Sequence, residues 1–244
     1  FFLLLITFLI GKPFHIRLEY LKIYFLVGIF AFSIPMSVLT LVSSKIPVGL
    51  TSLVMGLSPT FTYILGIVFK LERVSILGMI GVSFGFLGLL ILLFPEINVP
   101  SSEVLPWFCL ALITPVCLAI ANISASFYNP TGSSSIALGA GFLLAAALAT
   151  FPIVIYSNQF YWPFSKELLI PTLGASAVNC LHIILFATIV KNYGPVFFSQ
   201  LNYIIVVFAI FWAFILFNEI PSVALGLPLF LITLGIIISG MRAK

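Results

Sequence analysis

Two acidic residues stand at the edges of long apolar runs: Glu72 in "KLERVS" and Glu219 in "FNEIPS". A carboxylate in such a place can serve as an intramembrane catalyst, an ion ligand or the punctuation of a turn. Other polar side chains lie inside the apolar runs. Ser33, Ser37, Thr40 and Ser44 recur at i, i+4, i+7 and i+11, which puts them on one helical stripe. Ser58 and Thr62 flank Pro59, and Asn122 and Ser126 are four apart. Asn179 and His182 are i, i+3 neighbours, and Gln200, Asn202 and Tyr203 cluster further on. These hydroxyls, amides and one imidazole can hydrogen-bond a polar solute without fixed charge. His182 is the one mid-membrane side chain suited to titrate near neutral pH. A proton relay through it and a hydrogen bond that merely holds it in place are both open. Small hydroxyl residues also mediate close helix packing, so the Ser33 stripe is read either as cavity lining or as an interface. Pro59 frees a backbone carbonyl at mid-membrane, which makes either a broken helix at a binding site or a simple kink.

The elements that must position these groups follow from composition. The chain has 244 residues, 62% of them hydrophobic and 7% charged, with a mean hydropathy of +1.31. A soluble domain carries about 25% charged residues and could not hide so much apolar surface. The lipid bilayer is therefore the expected solvent. The net charge of +4 is too small and dispersed for a nucleic-acid partner. Cys109, Cys117 and Cys180 lie in apolar runs without metal-ligand spacing, and neither metal nor cofactor is expected.

Charges divide the chain into apolar intervals of one-helix length, except 104–165, which must hold two helices around the turn "YNPTGSSS". The expected helices are 22–43, 47–69, 75–94, 105–127, 136–156, 169–190, 195–217 and 222–241. The opening run "FFLLLITFLI" is too short to span and is read as the tail of a helix whose upstream part is missing. The alternation of barrel strands is absent from the pattern. Loops on one side receive Lys12, Arg17, Lys22, Lys70, Arg73, Lys191, Arg242 and Lys244; the other side receives Lys45 and Lys166. The excess of basic residues marks the first side as cytoplasmic.

Setting Glu72 against Glu219 exposes a repeat. "PVGLTSLVMGLSPTFTYILGIVFKLE" faces "PVFFSQLNYIIVVFAIFWAFILFNE", and downstream Ser75 meets Ser222 and Gly88 meets Gly235 without a gap. A unit of five helices, being odd, crosses the membrane in opposite senses in its two copies. The expected fold is thus an all-α polytopic membrane bundle of two inverted five-helix repeats, about nine helices of a ten-helix parent, with the first repeat at 1–94 and the second at 105–241. Inverted repeats are the architecture of many secondary transporters.

The paired "P…E" helix followed by a Gly-rich helix resembles the EamA-type family of the drug/metabolite transporter superfamily. The resemblance covers nearly the whole chain and implies a ten-helix, multi-pass carrier of the bacterial inner membrane with both termini cytoplasmic. It implies export of small metabolites, amino acids or drugs by alternating access, with a small-molecule solute and the bilayer as partners. Candidate cavity residues are Ser33, Ser37, Thr40, Ser58, Thr62, Asn122, Asn179, His182, Gln200, Asn202 and Tyr203. Pro59, Glu72 and Glu219 are candidate structural or gating residues, the two glutamates capping the start of the next helix or making a gating contact. Gly78, Gly81, Gly85, Gly88, Gly226, Gly235 and Gly240 suit close helix packing, and no site is expected on their helices, which lie away from the cavity in the resembled family. No Walker-type loop is present, so ATP is not a direct energy source. Proton coupling is open, as is the oligomeric state. A channel, a non-transporting membrane protein and a membrane-embedded lipid-modifying enzyme are the alternatives. The enzyme would need convergent ionisable residues, and His182 has no carboxylate in its own helix, so no enzymatic activity is expected.

Overall fold

The computed structural model describes residues 2–11, 14–46, 51, 54–93, 104–128, 134–156, 169–205, 208, 215 and 226–241. Among these the regular structure is entirely helical. In chain order the helices are α1 (Phe2–Leu9), α2 (Leu18–Val42), α3 (Ser58–Val68), α4 (Ile76–Leu93), α5 (Leu105–Phe127), α6 (Ser135–Tyr156), α7 (Leu169–Tyr193), α8 (Pro195–Ser199) and α9 (Gly226–Met241). Four of them, α2, α5, α6 and α7, are long and apolar enough to cross a membrane. Large apolar side chains such as Phe8, Ile76, Leu148 and Ile170 point outward, as suits a bundle immersed in lipid rather than water. The chain fits an integral membrane protein.

Prolines set where the helices deviate. A proline removes an N–H and presses on the carbonyl four residues back. Pro35 therefore faces Ala31, which sits inside a π-helical turn at Ile29–Ser33. Pro115 faces Ala111, where α5 is interrupted at Leu112. Pro59 acts differently. The expected single helix at 47–69 is interrupted by a turn at 56–57, and Pro59 falls in the first turn of α3, where no N–H is needed.

The turn after α3 is a closed Schellman motif. Leu71 N–H donates to Gly66 O at 2.9 Å and Lys70 N–H to Ile67 O at 3.0 Å. The motif needs a left-handed residue at Lys70, whose φ is 57°. A lysine there costs about 1–2 kcal/mol that a glycine would not. Lys70→Gly is expected to raise the unfolding midpoint by about 2–4 °C in neutral detergent; an unchanged or lower midpoint contradicts this account of the turn. Gly194, with φ 89°, makes the corresponding sharp junction between α7 and α8, with Pro195 opening the next helix.

Packing forms one large core and two tight pairs. Tyr20, Ile23, Tyr24 and Val27 of α2 interlock with Leu138 and Phe142 of α6 and with Ile183, Phe186 and Val190 of α7. Gly28 lets α2 approach α6 closely: a Cβ there would sit 2.6 Å from Phe142 O. The antiparallel pair α4·α9 is packed backbone to backbone, since a Cβ on Gly235 would lie 2.5 Å from Gly85 N and 2.6 Å from Gly81 O. α3 lies against α5, and the short α8 fits between them.

Candidate functional site

A cavity of about 680 Å³ opens at the end of the bundle that carries Lys70, Arg73 and Lys191. One wall is the α3–α4 turn, residues 71–75. The opposite wall is the α7–α8 junction, residues 192–197, and Ser126 closes a side. Both walls are held stiffly. Tyr63 Oη donates to Ser75 O at 3.1 Å and accepts from Ser75 N–H at 3.0 Å, which pins the turn to α3. Ser75 Oγ accepts a long bond from Gly78 N–H and so caps α4. The Glu72 side chain folds over Gly66, where a Cβ would lie 2.9 Å from Glu72 Cγ, and its Oε1 would be 3.8 Å from a Cβ on Gly194. Glu72 therefore bridges the two walls of the mouth.

The lining grades from wet to dry. Arg73 is exposed, Glu72 half-buried, and Gln200 and Ser239 only 4% and 8% exposed. Gln200 Oε1 and Ser239 Oγ are buried without a hydrogen-bond partner among the described residues. Leaving such an atom unpaired costs about 1–3 kcal/mol, and both residues belong to the cavity lining. Ser239 packs on Gly81, while Tyr203, one turn beyond Gln200, packs on Gly85 and donates to Val82 O at 3.4 Å.

Beyond the cavity floor the polar groups bond to one another. Asn122, one turn along α5 from Ser126, donates from Nδ2 to Thr62 Oγ1 at 3.3 Å. Thr62 Oγ1 in turn donates to Ser58 O at 2.8 Å. Ser58 Oγ and Thr114 Oγ1 are fully buried and also unpaired. Ser58, Thr62 and Asn122 thus form one cluster at the α3·α5 contact, with Pro59 starting the helix that presents it.

The remaining candidates go elsewhere. Ser33 Oγ donates to Ala146 O at 3.1 Å and accepts from Thr150 Oγ1 at 3.2 Å, a bond across the α2·α6 interface. Of the two readings of that stripe, interface packing holds for Ser33. Ser37 is half-buried, and Thr40 is exposed and donates to Met36 O in its own helix. Tyr203 is a packing residue in the α4 contact, and Asn202 beside it is half-buried. Asn179 and His182 are both exposed on α7, and Asn179 also lines a separate cavity of about 230 Å³ between α1, α6 and α7. Asn179 Nδ2 donates to Ala175 O at 2.9 Å, and the His182 ring lies 6.2 Å from that of Phe198. Glu219 lies outside the described residues. Ser239 was not foreseen as a lining residue: a serine beside glycines in an apolar helix carries the signal of packing, and its Oγ does pack on Gly81, while the α4·α9 crossing brings the residue to the cavity.

No family model matches the chain, and no curated protein does. A solved structure, described only as the crystal structure of a protein, is similar to it. Its TM-score is 0.72 at 19% identity, over 91% of this chain and 76% of that one. That likeness establishes a shared fold, and with the apolar helices it defines the class: an all-helical membrane protein.

Proposed function

We propose that the chain is a secondary carrier of the EamA type, in the drug/metabolite transporter superfamily, moving small polar or amphipathic solutes by alternating access between two inverted repeats. The observation that carries the reading is the cavity between the α3–α4 turn and the α7–α8 junction, with the polar residues Glu72, Ser126, Gln200 and Ser239 in its lining. Its volume falls within the roughly 300–1,000 Å³ of small-molecule sites. The cavity opens at the end with the basic loops, which supports a cytoplasm-facing site and a cytoplasmic C-terminus.

The helix contacts support the repeat. Exchanging the halves in the register that sets Glu72 against Glu219 would pair α1 with α6 and α4 with α9, and each pair is in contact. The same exchange turns the α2·α6 contact into α1·α7, and these too touch. The wall chemistry, amides and hydroxyls with one carboxylate and the Arg73 guanidinium at the mouth, suits a polar solute that offers both donors and acceptors. The test is uptake and efflux by the full-length protein in proteoliposomes across a panel of amines, amino acids, sugars and organic acids, with and without a pH gradient. Flux of any donor-bearing solute above empty liposomes supports the carrier. Folded protein that moves nothing on the panel removes it, and flux that runs only down its gradient and rises in proportion to it without saturating points to a channel.

A further inference from the structure

A second cavity, of about 430 Å³, lies on the outside of the bundle between α2, α3 and α5. Its walls are almost wholly apolar: Leu26, Leu65, Ile123 and the rings of Phe69, Phe127 and Tyr128. The three rings are exposed at the helix ends, with Phe69 and Phe127 meeting edge to face at 6.1 Å. Aromatic side chains gathered at one level of a membrane helix bundle mark the headgroup boundary. Two lysines stand at that end. Lys22 lies one turn before Leu26 on α2, and Lys70 follows Phe69 directly; both are exposed.

Lys70 is the informative residue. It occupies the left-handed position of the Schellman motif, φ 57°, where glycine is free of strain. A strained residue retained at such a point calls for a reason outside the turn itself. Its ammonium, beside a greasy groove and within reach of the headgroup layer, supplies one. We propose that this groove binds an anionic phospholipid, one acyl chain lying along Leu26, Leu65 and Ile123 and the headgroup phosphate meeting Lys22 and Lys70. Basic pockets between helices on the cytoplasmic side have the charge and depth for such headgroups. The site is separate from the solute cavity and stands whether or not the chain is a carrier.

The test uses the full chain in nanodiscs of equal phosphatidylglycerol and phosphatidylcholine, extracted into neutral detergent, with retained lipid counted by native mass spectrometry. At about fivefold per lysine, phosphatidylglycerol is expected to be retained at least tenfold over phosphatidylcholine. The Lys22→Gln, Lys70→Gln double variant should fall to parity, and Ile123→Trp, which fills the groove, should lose both lipids. Lys70→Gly separates the lysine's charge from its strain. It should melt higher than wild type in neutral detergent yet gain less on adding phosphatidylglycerol, whereas Lys70→Arg keeps the wild-type gain. Equal retention of the two lipids by wild type, or an undiminished preference in the double variant, overturns the proposal. So does a Lys70→Gly protein stabilised by phosphatidylglycerol as much as wild type.

Discussion

Gly235→Leu is expected to lower the unfolding midpoint by about 10 °C, because it drives a side chain into the backbone of α4. A Cβ alone at this position would lie 2.5 Å from Gly85 N and 2.6 Å from Gly81 O, and neither atom can rotate away. Overpacking against side chains costs about 1–3 kcal/mol. Here two helix axes must separate, so the loss should exceed about 3 kcal/mol, which at 2–4 °C per kcal/mol gives the stated shift. Separation also breaks the Tyr203 contact with Gly85 and shifts Ser239, so the solute cavity should deform with it. Gly174 on α7 is the control, since a Cβ there meets nothing within 4 Å; Gly174→Ala should melt no lower than wild type. The measurement is a thermal melt in detergent followed by size-exclusion chromatography. A Gly235→Leu midpoint within about 2 °C of wild type would refute the backbone-to-backbone packing of α4 and α9.

Gln200→Leu is expected to cut solute flux at least tenfold while leaving the protein as stable as before or more so. The reasoning rests on the unpaired Oε1. A buried acceptor without a partner weakens the fold by about 1–3 kcal/mol, and an apolar side chain of similar shape relieves that cost. If the atom is kept for the solute, the same change removes a hydrogen bond that the solute needs, worth about 1.5 kcal/mol or a tenfold loss. Loss of function with gain of stability is the mark of a site residue, whereas a structural residue loses both together. Tyr203→Phe is the companion variant. Its hydroxyl donates to Val82 O inside the packing, so flux should persist while the midpoint drops slightly. Equal flux in Gln200→Leu and wild type would remove Gln200 from the solute path.

The candidate site was legible in part. The α3 cluster could be read directly, because Pro59 with hydroxyls on either side is a local pattern that any membrane helix must answer by kinking or breaking. Periodicity does not distinguish those answers, and the turn at 56–57 settled on a break. The pairing of Asn122 with Thr62 was beyond reach, since the residues are distant in the chain and meet only because α3 lies on α5. His182 and Asn179 illustrate the reverse. They are polar and near mid-span, but which face of α7 turns inward depends on its neighbours, and the interlock of Ile183, Phe186 and Val190 with α2 and α6 leaves both outside. Glu72 was legible as a turn residue, while its bridge to the α7–α8 junction required Gly194 to arrive beside it.

The amino-acid sequence by itself determined the solvent, the helices and most of their ends, the sidedness of charge and the internal match of Glu72 with Glu219. These are properties of composition and short-range spacing, because in a bilayer each helix must satisfy its own backbone and announce its length in apolar residues. The tertiary structure alone decided which polar atoms face a cavity and which face another helix. In a bundle where lipid is as apolar as the core, hydrophobicity cannot tell inside from outside. That choice falls to the close approach of small residues, Gly28 on α6 and Gly235 on α4. Their contacts set Ser239 against Gly81 within the cavity lining, and Ser33 against a carbonyl.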